Sequence, residues 1–121
     1  MRGGSLELKL RILEIQAHTR GKIYKTSADG KVVSILLTFH ALERTQRWKL
    51  TEEQVVRALL APEEVLKGHR NRYIAHRRTG KHVVRVIYEY QGRMPVVITV
   101  YFPFAQRYFG GGGFYEDKIL A

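Results

Sequence analysis

Three side chains on one short segment have the types and spacing for acid–base chemistry at a phosphate: His40, Arg44 and Arg47. At i, i+4 and i+7 they fall on one face of a helix. Histidine is the side chain best suited to moving a proton near neutral pH. Arginine holds a phosphate through two parallel hydrogen bonds. Cutting RNA without a metal needs those parts: a base for the 2′-hydroxyl, an acid for the departing 5′-oxygen, and cations for the added phosphate charge. The same stripe also fits a solvated basic helix face around a half-buried histidine.

Arg85, Thr99 and Tyr101 form a second group. Alternation along two neighbouring strands puts them on the sheet face away from the helices, where a guanidinium, a hydroxyl and a phenol together suit a phosphodiester. Taken singly, each is also an ordinary strand residue. A third cluster is basic with an aromatic interleaved: His69, Arg70, Arg72, Tyr73, His76, Arg77, Arg78, Lys81 and His82. It suits a single-stranded backbone and a stacked base, and equally a charged strand edge that blocks unwanted pairing. With Arg47 it supplies the expected nucleic-acid contacts Arg70, Arg72, Arg77, Arg78 and Lys81. Its histidines match no zinc spacing and no cysteine stands near them, so neither metal nor cofactor is expected.

Local patterns supply the elements that must hold these residues. Leu6, Leu8, Leu10 and Ile12 alternate with charges, as in a half-buried strand, although a helix through Leu13 and Ile15 stays open. A short strand over Lys22 to Thr26, the turn Ser27 to Gly30 and a strand over Lys31 to Leu37 follow. Thr38 caps a helix from Phe39 to Trp48, and Thr51-Glu52-Glu53-Gln54 is a capping box opening a second through Leu60. Pro62 stops it. Asn71 to Arg77, His82 to Tyr90 and Pro95 to Phe102 then read as three strands of an antiparallel meander. On the third, Val96, Ile98, Val100 and Phe102 form an apolar face opposite Val97, Thr99 and Tyr101. The expected class is α+β, helices followed by an antiparallel sheet meander, with extra N-terminal strands. Its parts are an extension over 1–30, a core over 31–104 and a Gly-rich tail over 105–121.

Composition narrows the partners. The 121 residues fit one domain, and a 45% hydrophobic content is enough for a core. A net charge of +10, from 21 Lys and Arg against 11 Asp and Glu, points to a polyanion, RNA ahead of DNA. A basic protein with no nucleic-acid role is the plainer alternative. With no cysteine, disulfides, thiolate zinc sites and a cysteine nucleophile are excluded. No apolar run nears the ~20 residues of a membrane span, and Met1 to Ser5 leads into alternating charge rather than a signal sequence. The expected place is the cytoplasm, with no membrane partner.

Two stretches resemble a known family. Thr38-Phe39-His40-Ala41-Leu42-Glu43-Arg44-Thr45-Gln46-Arg47, Thr51 to Val55 and Leu60-Ala61-Pro62-Glu63 resemble the opening of domain of unknown function 4258. Val84-Arg85-Val86-Ile87-Tyr88 and Val97-Ile98-Thr99-Val100-Tyr101 resemble its later strands. The family often carries a second Arg where this chain has Trp48, and Gly-Ile where it has Lys49-Leu50. Such domains are similar to the RelE/ParE-like and colicin-D-like small ribonuclease toxins. The resemblance implies a metal-independent endoribonuclease of the toxin type, acting on mRNA or tRNA. In it His40 would be the acid and base, Arg44 and Arg85 would hold the phosphate, and Thr99 and Tyr101 would complete the site. An acidic antitoxin and a second copy of the chain are further candidate partners. A non-catalytic RNA- or DNA-binding module and an inactive protein-interaction subunit are the alternatives.

Overall fold

Asp29 and Gly30 sit at positive φ (50° and 84°), a geometry their types tolerate, and reverse the chain between two strands. The computed structural model of the chain describes residues 8–110 and 113–116. β1 (Leu10–His18), β2 (Gly21–Ala28) and β3 (Lys31–Thr38) pair antiparallel in sequence order. Two helices follow, α1 (Phe39–Arg47) and α2 (Glu52–Leu60). Then come β4 (Glu64–Lys67), β5 (Tyr73–Thr79), β6 (His82–Gln91), β7 (Met94–Tyr101), the short α3 (Ala105–Tyr108) and β8 (Gly113–Glu116). The expectations made for residues 1–7, for Gly111 and Gly112, and for 117–121 lie outside the described residues.

Among the described residues the eight strands share one sheet, in the order β1-β2-β3-β7-β6-β5-β4-β8. This overturns the expected class of helices followed by an antiparallel meander. The sheet is mixed, since β3 runs parallel to β7 and β4 parallel to β8. The two longer helices are nine-residue segments that fall between β3 and β4 in the chain. The junction explains the difference. Leu36 and Leu37 pair with Val96 and Val97, and all four are buried, as parallel strands covered on both faces require. The boundary expected at residue 30 falls in the β2–β3 turn, where Ala28 pairs with Lys31.

Both helices are held at their ends by side chains. Thr38 Oγ1 accepts the Ala41 amide at 3.1 Å. At the other end of α1 the amides of Lys49 and Leu50 return to the carbonyls of Gln46 and Thr45, a Schellman closure with Lys49 in the left-handed region at φ 57°. That is the position where the resembled family commonly carries Gly. In α2, Thr51 and Gln54 form a reciprocal capping box. The buried stripe Val55, Val56, Ala58 and Leu59 joins Ala41, Tyr24, Val84 and Val86 in the main core, and the Tyr24 hydroxyl donates to Glu52.

A bulge in β7 decides which side chains reach the other face. Ile87 pairs with Thr99 but Tyr88 pairs with Val97, so Ile98 is an extra residue. Val97 and Val100 therefore both enter the helix-side core. The strict alternation expected for β7, with Val97 opposite Val100, is corrected at this point. Thr99 and Tyr101 stay opposite the helices as the register partners of Ile87 and Arg85.

Two substitutions test this account by urea denaturation. Lys49→Gly removes the left-handed penalty and raises stability by about 0.5–1 kcal/mol. Gly21→Ala would bring a Cβ within 1.9 Å of the Leu37 carbonyl oxygen and costs at least about 2 kcal/mol; unchanged stability would refute the close β2–β3 approach.

Candidate functional site

On the sheet face away from the helices, register partners build two rows. One runs Glu64, His76, Arg85, Tyr101 across β4, β5, β6 and β7. Beside it runs Leu66, Ile74, Ile87, Thr99, and its first three members form a small apolar cluster. The apolar row excludes water next to the polar one. Glu64, His76 and Arg85 are almost wholly buried, at 1%, 0% and 3% exposure.

Hydrogen-bond chemistry sets the state of this row. An Arg85 amino group lies 2.8 Å from His76 Nε2, and because a guanidinium only donates, Nε2 must accept. The ring proton then sits on Nδ1, which donates to Glu64 Oε2 at 2.6 Å. A neutral imidazole thus links a buried carboxylate to a buried guanidinium. The two charges compensate across it, as burial demands. Glu64 also accepts the Gly110 amide on both oxygens at 3.0 Å, which draws the segment after α3 onto the sheet. The Tyr108 ring of α3 lies 4.8 Å from the Arg85 guanidinium carbon, a cation–π contact.

α1 brings the second half of the site. Where β3 stops pairing with β7, side chains of this segment take over three successive β7 residues. Thr38 Oγ1 donates to the Ile98 carbonyl at 3.2 Å, His40 Nε2 lies 3.1 Å from Thr99 Oγ1, and Trp48 Nε1 donates to the Val100 carbonyl at 3.0 Å. The Thr38 and Trp48 bonds satisfy carbonyls of an edge that would otherwise stand open, while His40 meets the Thr99 side chain. Between α1 and α3 lies a cleft of about 280 Å³, lined by Trp48, Arg85, Ile87, Tyr101, Phe102, Pro103 and Tyr108.

The sequence-derived residues therefore separate into two sets. His40 and Thr99 touch, and Arg85 and Tyr101 are neighbours on the same face. Arg44 lies on the His40–Trp48 face of α1 by its four-residue spacing. Its Nε is shielded from solvent and has no hydrogen-bond acceptor among the described residues, with Glu43 at 3.6 Å. Arg47 turns aside to Glu43 at 3.0 Å, and Trp48 takes the inward place. The expected nucleic-acid contacts do not converge on the cleft. Arg72 lies beside Glu89, Arg77 donates to the Ala61 carbonyl, Arg78 pairs with Glu63, and Lys81 lies by Phe104. Arg70 occupies a turn at φ 59°. Burial works against the charge on Glu63, yet the hydrogen bonds and charge of Arg78 outweigh it and hold that carboxyl below its usual range.

Sequence reasoning missed Glu64, Trp48 and Tyr108 as site residues and placed His76 only in the basic cluster. His76 had a visible signal, since it alternates with Ile74 on the strand face that continues into Arg85. The three histidines considered for a metal do not converge: His76 is in the buried row, and His82 stacks between Phe102 and Phe104, each ring centroid 4.6 Å away. No helix among the described residues is long and apolar enough to cross a membrane.

The family described as Domain of unknown function (DUF4258) matches over residues 37–102, more than half of the chain. No curated protein and no solved structure matches. The matched span contains α1, His76, Arg85, Thr99 and Tyr101, which is the greater part of the site.

Removing the carboxylate tests the buried row. Glu64→Ala removes the buried carboxylate of the row and lowers the unfolding free energy by about 3–5 kcal/mol. Arg47→Ala, at an exposed pair, changes it by less than about 1 kcal/mol. Equal small losses in a denaturant titration would show that the row contributes no more than a surface pair.

Proposed function

The chain belongs to the DUF4258 family, and from that premise and the geometry of its site we propose that it is a metal-independent endoribonuclease of the toxin type. The observation that carries this reading is the imidazole of His40, 3.1 Å from the Thr99 hydroxyl, on the sheet face that also bears the buried Arg85. It is the juxtaposition of a proton carrier, a hydroxyl and a fixed cation that cyclising cleavage of RNA needs. His40 takes the proton of a 2′-hydroxyl as that oxygen attacks phosphorus. The bond from phosphorus to the 5′-oxygen breaks, and the Tyr101 phenol supplies the proton to the departing oxygen. Arg85, aligned by His76 and Glu64, and Arg44 offset the charge that builds on the phosphate. The products are a 2′,3′-cyclic phosphate and a free 5′-hydroxyl. An mRNA or tRNA substrate places this work in the cytoplasm.

The purified chain is expected to cut RNA in EDTA, and His40→Ala to lower the rate at least about 100-fold. Mapped ends should be cyclic phosphates. If the unaltered chain binds RNA without cutting it, the nuclease reading is wrong and a non-catalytic binding module replaces it.

A further inference from the structure

We propose that the cleft beside Thr99 is a nucleobase-stacking subsite, which takes one unstacked base of a single-stranded RNA with the adjoining phosphate turned toward Arg85 and His40. The inference rests on the reading that the chain acts on RNA, and it names the part of the strand that is held. The walls come from four separate elements: Trp48 caps the end of α1, Tyr101 and Ile87 come from β7 and β6, and Tyr108 comes from α3. A volume of about 280 Å³ lies at the low end of small-molecule sites, roughly 300 Å³, which suits one base rather than a folded segment.

The lining chemistry selects the occupant. Its rings offer flat apolar faces, and every base has a π-face to stack on them whatever its sequence. Trp48 is held in place by its bond to the Val100 carbonyl, so its ring is set before a ligand arrives. Trp48 and Tyr101 remain 38% and 39% exposed, leaving aromatic surface for a ligand to cover. At the floor Arg85 adds a cation with a fixed direction, which favours an anionic ligand over a neutral apolar one. The net charge of +10 draws a polyanion to the same place. An aromatic slot with a cation at its base is complementary to a nucleotide.

The single tryptophan of the chain makes the test direct, because the reporter lines the cleft. Trp48 fluorescence would be followed while adding a 2′-O-methyl oligoribonucleotide, which cannot be cut. The same backbone carrying abasic sites, and AMP, are the comparison ligands. The base-bearing strand should quench Trp48 and the abasic strand should not. Tyr101→Phe, which keeps the ring, should bind like the parent. Tyr101→Leu should bind roughly 5- to 150-fold more weakly, with thermal melts confirming that both variants fold. Equal quenching by abasic and base-bearing strands, or a folded Tyr101→Leu that binds as tightly as the parent, overturns the subsite. AMP binding as tightly as the oligonucleotide overturns the strand and reassigns the cleft to free nucleotides. Cleavage of RNA with Trp48 silent sinks the subsite and leaves the nuclease standing. A normal quenching pattern without cleavage of unmodified RNA does the reverse.

Discussion

The buried line from Glu64 through His76 to Arg85 is the contact on which the rest of the site depends. A guanidinium at 3% exposure is tolerated only if its charge is compensated, and here the compensation is relayed through one neutral imidazole. The same carboxylate receives the Gly110 amide, so the chain after α3 is drawn to the sheet at the far end of the row. Tyr108 is then laid over Arg85, and the cleft acquires its outer wall. One charge requirement thus orients the cation, orders the segment above it and ties β4 to β5 and β6.

A second constraint acts from the opposite side. β3 and β7 pair at only two positions, Leu36 with Val96 and Leu37 with Val97, before β3 runs into α1. The open edge of β7 must find other partners, and Thr38, His40 and Trp48 meet Ile98, Thr99 and Val100 in turn. The bulge at Ile98 keeps Thr99 and Tyr101 facing Arg85 while Val97 and Val100 stay in the core. His40 is carried to Thr99 by the same segment that covers this edge, and its own contact is side chain to side chain.

Charge works at two ranges in this molecule. Of the six basic side chains predicted to touch nucleic acid, Arg47, Arg78 and Arg72 are paired with Glu43, Glu63 and Glu89. Such pairs are weak and screened by salt. Arg85, by contrast, lines the cleft and is held in the buried row. The basic run around Arg70 to Lys81 does not line the cleft.

Local chemistry legible in the sequence determined the two capped helices, the strands around Arg85 and Tyr101, and the face shared by Arg85, Thr99 and Tyr101. Caps, turns and period-two alternation act over a few residues, so they can be read without knowing the fold. Alternation says which residues of one strand look the same way; it does not say which strand lies alongside. The parallel joining of β3 to β7, the mixed sheet, and the meeting of Glu64, His76 and Arg85 were decided by tertiary pairing alone. So was the exchange of Arg47 for Trp48 at the cleft, since both positions suit the inner face of α1 by spacing. Burial beside β7 admits the ring and turns the exposed guanidinium outward to Glu43.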